Sequence, residues 1–403
     1  MRYVKILLFL YLLLKPYYLF SSGALQLGDI LLLLAASLIF AASVLNKRVR
    51  KDMQEVINSN GLLAVFVACT FIINGLYVLY LSDTKFMLSS LYLLFNLIAV
   101  VVFSYFFRDR NFLENISKIL KFNLLVQLAL LVLGVGKYYA TERYMGTFND
   151  PNQFGFYILV SFLFMYVLDV LVAKKKKFFI VYSVIAMILI VQSGSTGILL
   201  GALTFFCFSL AYYLYKARSA YSKIRKVMLL LIVGIFFLLP AGVATYSALV
   251  VQTGEQPVVL RRLDDKVSES EPQDSAGQSL LEDRGYDIIY NYPGYIFFGA
   301  GEGGYDRYPQ SAKGYEVEIH ATLPALLFYY GIIPFVILLR WIHAKIRRVD
   351  PRILIALIAL LAESLTLVNH RQSLLWLIIA VSSAYAMGVY GKNIHKGRRV
   401  KKI

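Results

Sequence analysis

Long apolar runs alternate with short polar segments from one end of the chain to the other. A helix needs roughly 17–25 such residues to cross about 30 Å of hydrocarbon. Twelve stretches fit or approach that length: 4–21, 25–45, 61–81, 86–107, 119–137, 152–172, 178–193, 196–215, 227–250, 321–341, 353–369 and 372–390. The seventh and eleventh are the short ones. Lys15-Pro16 interrupts the first run and no small-residue cleavage site follows it, so it is expected to be a retained span rather than a signal peptide. The pattern predicts an all-α polytopic membrane protein of about 12 transmembrane helices. Residues 1–250 hold nine spans, 251–319 form one large loop, and 320–403 hold three more spans and a basic tail.

Charge orients this arrangement. The chain is 59% hydrophobic and 16% charged, with a formal net charge of +17. With both termini in the cytoplasm, 30 of the 41 Lys and Arg fall inside, while 17 of the 24 Asp and Glu fall outside. Short Lys/Arg-rich loops stay cytoplasmic, so the basic balance is a topology signal. Its scatter over many segments between spans argues against a nucleic-acid surface. Cys69 and Cys207 both sit inside apolar runs and read as small core residues rather than a staple for an outer loop.

The same orientation places the chemically informative segments on the extracytoplasmic face. "ERYMGTFNDPNQFG" opens the sixth span, where Asn149 or Asp150 can cap the helix and Pro151 suits its first turn. Asn152 follows, and Arg143 precedes the turn. "SGSTG" at 193–197 and "NHRQ" at 369–372, with His370 and Arg371, join spans on that face. The large loop begins polar, with Arg261 and Arg262, and continues from Arg284 through "YDIIYNYPGYIFFGAGEGGYDRY" as an aromatic segment that looks packed. Its "GAGEGG" matches a nucleotide-binding string, but no strand–helix unit surrounds it, so a tight turn at the membrane surface is expected. His320 opens the tenth span after Glu316 and Glu318, and imidazole alone titrates near neutral pH without help. No metal-site spacing is present, and no cofactor is implied. Glu363, inside the eleventh span, is costly in lipid and is expected to face the bundle interior.

Together these segments resemble the bacterial O-antigen and capsular polysaccharide polymerase (Wzy) and O-antigen ligase superfamily. "RYMGTFNDPNQFG" is similar to its R-x-x-G-T-F-x-D-P-N-x-F-A/G segment. "SGST" is similar to an S-x-S-R segment, with Thr196 where arginine is common. "DRGYDIIYNYPGYIFFGAGEGG" resembles the R-x-x-x-aromatic … G-x-G part of the large outer loop. His320 and Gly331 match the ligase-type H-[NSQ]-x9-G-x-x-[GTY] pattern, from which Ala321 and Pro334 depart. The likeness covers residues 140–335.

The resemblance implies a GT-C-type glycosyltransferase core in the bacterial cytoplasmic (inner) membrane, acting on its extracytoplasmic face without metal. Donor and acceptor would be undecaprenyl-diphosphate-linked oligosaccharides. Other expected partners are membrane lipids and a chain-length regulator, with no nucleic acid. A ligase would instead use lipid A-core as acceptor, and a polytopic transporter is the rival of another class. Under the polymerase reading His320 takes the proton of the attacking hydroxyl and Arg284 stabilises the leaving diphosphate, with Arg261 second in line. Arg143, Asn149, Asp150, Asn152, Arg262, His370 and Arg371 complete the expected substrate-binding set.

Overall fold

The computed structural model describes residues 1–18, 26–140, 142–172, 179–217, 284–308 and 318–385. The expected ninth span, the polar first half of the large loop with Arg261 and Arg262, and the basic tail lie outside the described residues. Within them the chain is mostly helical, with one small hairpin.

The elements of the first half are α1 Arg2–Leu14, α2 Leu27–Leu45, α3 Lys47–Ser59, α4 Gly61–Leu81, α5 Lys85–Phe106 and α6 Arg110–Val132. The hairpin β1 Lys137–Tyr139 and β2 Arg143–Gly146 comes next, then α7 Pro151–Leu171, α8 Phe179–Ser193 and α9 Thr196–Ala217. The second half holds α10 Tyr286–Asn291, α11 Tyr295–Phe298, α12 Thr322–Tyr330, α13 Ile332–Ile346, α14 Pro351–Ser364 and α15 Ser373–Ser382. Six helices, α2, α4, α5, α6, α7 and α9, are long and apolar enough to cross a membrane. This is a polytopic helical membrane protein.

A helix that is apolar all round belongs in the middle of a bundle, and α7 is that helix. In its apolar window 94% of the residues are buried, and α6, α8, α9, α14 and α15 pack around it. Polar side chains tie neighbouring spans together where lipid offers no partner. Asn74 of α4 donates to Ser90 of α5 at 2.8 Å, and Asn123 of α6 donates to Tyr157 of α7 at 2.8 Å. Lys121 of α6 pairs with Asp169 of α7 at 2.8 Å. Glu363 is fully buried, as the pattern predicted, and Asn369 donates to it.

Four local features differ from the run pattern. The first helix stops at Leu14, just before Lys15-Pro16. Residues 47–59, expected as a basic loop, form α3, capped by the Asn46 side chain on the Arg48 and Val49 amides. Lys137–Tyr139 and Arg143–Gly146 form the hairpin. The tenth run is two helices, α12 and α13, parted at Gly331. There φ is +75°, and a Cβ would stand 2.7 Å from the Phe297 carbonyl, so only glycine fits. Of the cysteines, Cys207 is exposed on α9 and Cys69 half-buried, so neither is the fully buried core residue expected.

Candidate functional site

The tight turn expected at "GAGEGG" is present, and its role is to plug one end of the bundle. Helix ends leave carbonyls without intrahelical partners. The turn supplies the donors: Ala300 N–H bonds the Phe328 carbonyl at 3.0 Å, and Gly301 N–H bonds the Tyr329 carbonyl at 2.8 Å, both in α12. Gly301 has φ +67°, and a Cβ there would come within 2.5 Å of the Tyr77 ring. Arg307 clamps the turn. It donates to the Ala300 and Gly301 carbonyls and lies 4.7 Å from the Tyr77 ring centre and 4.8 Å from that of Tyr308.

This plug drives Glu302 into the protein, where it is fully buried. Its amide donates to Asn74 Oδ1 at 2.9 Å. Its Oε2 accepts from the Tyr330 hydroxyl at 2.6 Å. Its Oε1 accepts from His370 Nε2 at 2.9 Å and from Arg371 Nε and Nη2 at 3.0 and 2.6 Å. An ionised carboxylate only accepts, so Nε2 of His370 carries the proton. Burial alone would raise the carboxyl pKa, but the facing His370 and Arg371 and the hydrogen bonds from His370 and Tyr330 outweigh it, holding Glu302 below the usual carboxylate range. Arg371 is shared with Glu318, and Tyr305 bonds both Arg371, at 3.1 Å, and Glu318, at 3.3 Å. Burial and the two glutamates push the Tyr305 phenol well above its ordinary value, so it stays a neutral donor.

Arg371 also forms part of the wall of a cavity of about 750 Å³, bounded by the ends of α1, α2, α5, α7 and α15 and by the plug. Lys15 and Asp29 also line it, ion-paired at 3.0 Å, and Asp29 accepts from the Gln26 amide. The volume lies in the range of about 300–1,000 Å³ common to small-molecule sites.

The expected site residues fall into three groups. His370 and Arg371 belong to the cavity wall, His370 from behind, since it is fully buried and its carbonyl accepts from Asn96 and Trp376. His320 and Arg284 form a second group, joined by a main-chain bond of 2.9 Å from His320 N–H to the Arg284 carbonyl. His320 is half-buried, just before α12. The Arg284 guanidinium donates to the Thr366 carbonyl at 2.7 Å. Neither residue lines the cavity, but Glu318, which reaches Arg371, is only two residues from His320. The third group lies around the hairpin. Asp150 caps α7 by accepting from the Asn152 and Gln153 amides at 2.8 and 2.9 Å. Arg143 is buried and donates to the Ser193 carbonyl and to Asn152 Oδ1. Asn149 accepts from Lys137 at 2.7 Å. Only the next residue, Gln153, reaches the cavity.

Sequence reading missed Glu302, Lys15, Asp29 and Tyr92 of this wall. A signal existed for Lys15 and Asp29, since charges inside apolar runs are costly and mark function or pairing. Among the described residues no three His, Cys, Asp or Glu side chains gather as metal ligands. The geometry defines a class: a helical membrane protein with a polar cavity at one end of an apolar bundle. No protein-family model matches the chain, and no characterised protein matches it in sequence.

Proposed function

We propose that this protein is a polysaccharide polymerase that joins undecaprenyl-diphosphate-linked oligosaccharide units on the outer face of the bacterial cytoplasmic membrane. The observation that carries the reading is the cavity: about 750 Å³ of polar, aromatic-walled space closing one end of an apolar helix bundle. A lipid-linked glycan has the same division, with a hydrocarbon tail for the bundle and a polar head for its end. The sequence resemblance supplies the reaction: inverting glycosyl transfer in which one lipid-linked glycan attacks another. On this reading the fold is a GT-C-type core with twelve spans. His320 takes the acceptor hydroxyl proton and Arg284 meets the leaving diphosphate. Their main-chain link holds the two residues side by side in the backbone.

The test is direct. Purified protein incubated with a lipid-linked repeat unit is expected to give a ladder of products, and His320→Ala to lose it, by roughly the 10²–10⁴-fold that a general base contributes. Arg284→Lys keeps the charge but not the fork, and is expected to lose most activity as well. Transfer of one unit to lipid A-core with no ladder would make the protein a ligase. Full activity of His320→Ala would remove the proposed base.

A further inference from the structure

The cavity is rich in cations, which invites the assumption that it holds the diphosphate. Its pairing pattern argues otherwise. Lys15, Lys85 and Arg371 stand on the wall, and so do Asp29 and Glu302, while Glu318 reaches in to Arg371. Three positive charges are therefore matched by three negative ones. Two of the cations are already committed: Lys15 to Asp29, and Arg371 to Glu302 and Glu318. All three guanidinium nitrogens of Arg371 donate to carboxylates. To engage Arg371 a diphosphate would have to displace Glu302, which is fully buried and held from behind by Tyr330 and His370. Breaking such a buried pair leaves an uncompensated charge.

The remaining wall has a different chemistry. Tyr18, Tyr92, Phe95 and Tyr305 contribute aromatic rings. Gln153, Gln372 and Ser89 contribute amides and a hydroxyl that both donate and accept. A sugar ring presents apolar C–H faces and a rim of hydroxyls. Aromatic faces, with their negative quadrupole, suit the first; amides and fixed carboxylates suit the second.

We infer that this cavity is a saccharide site: it takes the neutral glycan portion of the substrate, Lys15 and Arg371 being already paired within its walls, and the diphosphate binds elsewhere. The inference rests on the polymerase reading for the source of the glycan. Glu302 is then a positioning residue that fixes Arg371, and Tyr92 and Gln153 are sugar contacts.

Site-specific photocrosslinking in the native cells tests it. The photoreactive amino acid p-benzoylphenylalanine replaces Leu91, on the cavity wall, with Leu88 as the alternative position if that variant fails to accumulate. A control position is Leu361, which lines a separate apolar cavity and is expected to give lipid adducts. After irradiation, mass spectrometry of the labelled peptide is expected to show added hexose or aminohexose residues, with the yield cut several-fold by Tyr92→Ala or Gln153→Ala. Adducts through a phospholipid or a polyprenyl chain, or no adduct while the control labels, would overturn the assignment. Sugar adducts from a protein that makes no polymer would keep the assignment and remove the polymerase. Polymer without sugar adducts would do the reverse.

Discussion

Two cavities lie close together at α15 and could hardly differ more. One is the polar space of about 750 Å³ walled by Arg371, Glu302 and Lys15. The other, about 250 Å³, is lined almost wholly by Leu and Ile of α12, α13, α14 and α15. The divide falls within a few residues. Arg371 and Gln372 face the first cavity, while Leu375, Trp376 and Ile379 face the second. The apolar cavity is built by helix bodies, and the polar one by what enters at helix ends: a glycine turn, a cap, a short loop. Helices set the medium, and the segments between them set the chemistry.

That contrast predicts very unequal costs of substitution. The largest belongs to Glu302. Glu302→Ala leaves the half-buried Arg371 short of its main partner, and breaking a buried pair costs about 3–5 kcal/mol. Thermal unfolding in detergent is expected to show a strongly lowered midpoint, or no folded protein at all. Leu361→Ala, on the apolar cavity and 46% exposed, is expected to stay within about 0.5 kcal/mol of the parent. Equal effects at both positions would erase the distinction between the two regions.

Glu302→Gln sharpens the point, since size is kept and charge removed. Hydrogen bonds to charged groups contribute about 1.5–3 kcal/mol, so the variant is expected to be less stable than the parent by that order at neutral pH. The sign with pH follows from the lowered carboxyl pKa. Stability from a depressed carboxylate is fully present above its unfolded value, about 4.3, and is lost as pH falls through the folded value. The gap between parent and variant is therefore expected to be flat from pH 8 to pH 5 and to narrow only in more acid solution. A gap that closed between pH 7 and 6 would show that Glu302 is not held ionised by its partners.

Gly331 separates the two cavities in another sense, because the break there lets the plug dock on α12. Gly331→Ala forces a side chain into a backbone conformation that is nearly glycine-only, at about 1–3 kcal/mol, and places its Cβ against the Phe297 carbonyl. Stability is expected to fall accordingly. Under the saccharide assignment, sugar crosslinking from Leu91 is expected to fall with it, since Glu302 rides on the docked turn. Unchanged crosslinking would separate the plug from the cavity.

The helices were legible because lipid imposes length and apolarity on them. α2, α4, α5 and α7 lie within two residues of the runs that predict them. The Asp150 cap and Pro151 start were legible too, because a cap is local chemistry. α3 was not: its sequence, "KRVRKDMQEVINS", buries only Met53, and a polar helix looks like a polar loop. The break at Gly331 was hidden by apolar residues on both sides. Glu302 was the least legible of all. Within "GAGEGG" nothing distinguishes a solvated glutamate from a buried one, and its partners lie 28, 68 and 69 residues away. Such a contact exists only after the fold has formed, so no local pattern announces it.

Trp376 belongs to both regions and gives the smallest expected effect. Its indole lines the apolar cavity, lies 5.9 Å from the Trp341 ring, and donates through Nε1 to the His370 carbonyl at 2.6 Å. Trp376→Phe keeps an aromatic ring in the apolar wall and removes only the donor. The His370 carbonyl would still accept from Asn96 Nδ2 at 3.0 Å, so no buried acceptor is left without a partner. The cost is then that of one ordinary hydrogen bond, about 0.5–1.5 kcal/mol, rather than that of an orphaned group. Trp376→Phe combined with Asn96→Leu removes both donors and is expected to cost more than the two single changes together, because only then is the carbonyl stranded. Thermal midpoints of the four proteins measure that coupling. Simple additivity would mean that the two donors act independently and that loss of both does not strand the His370 carbonyl.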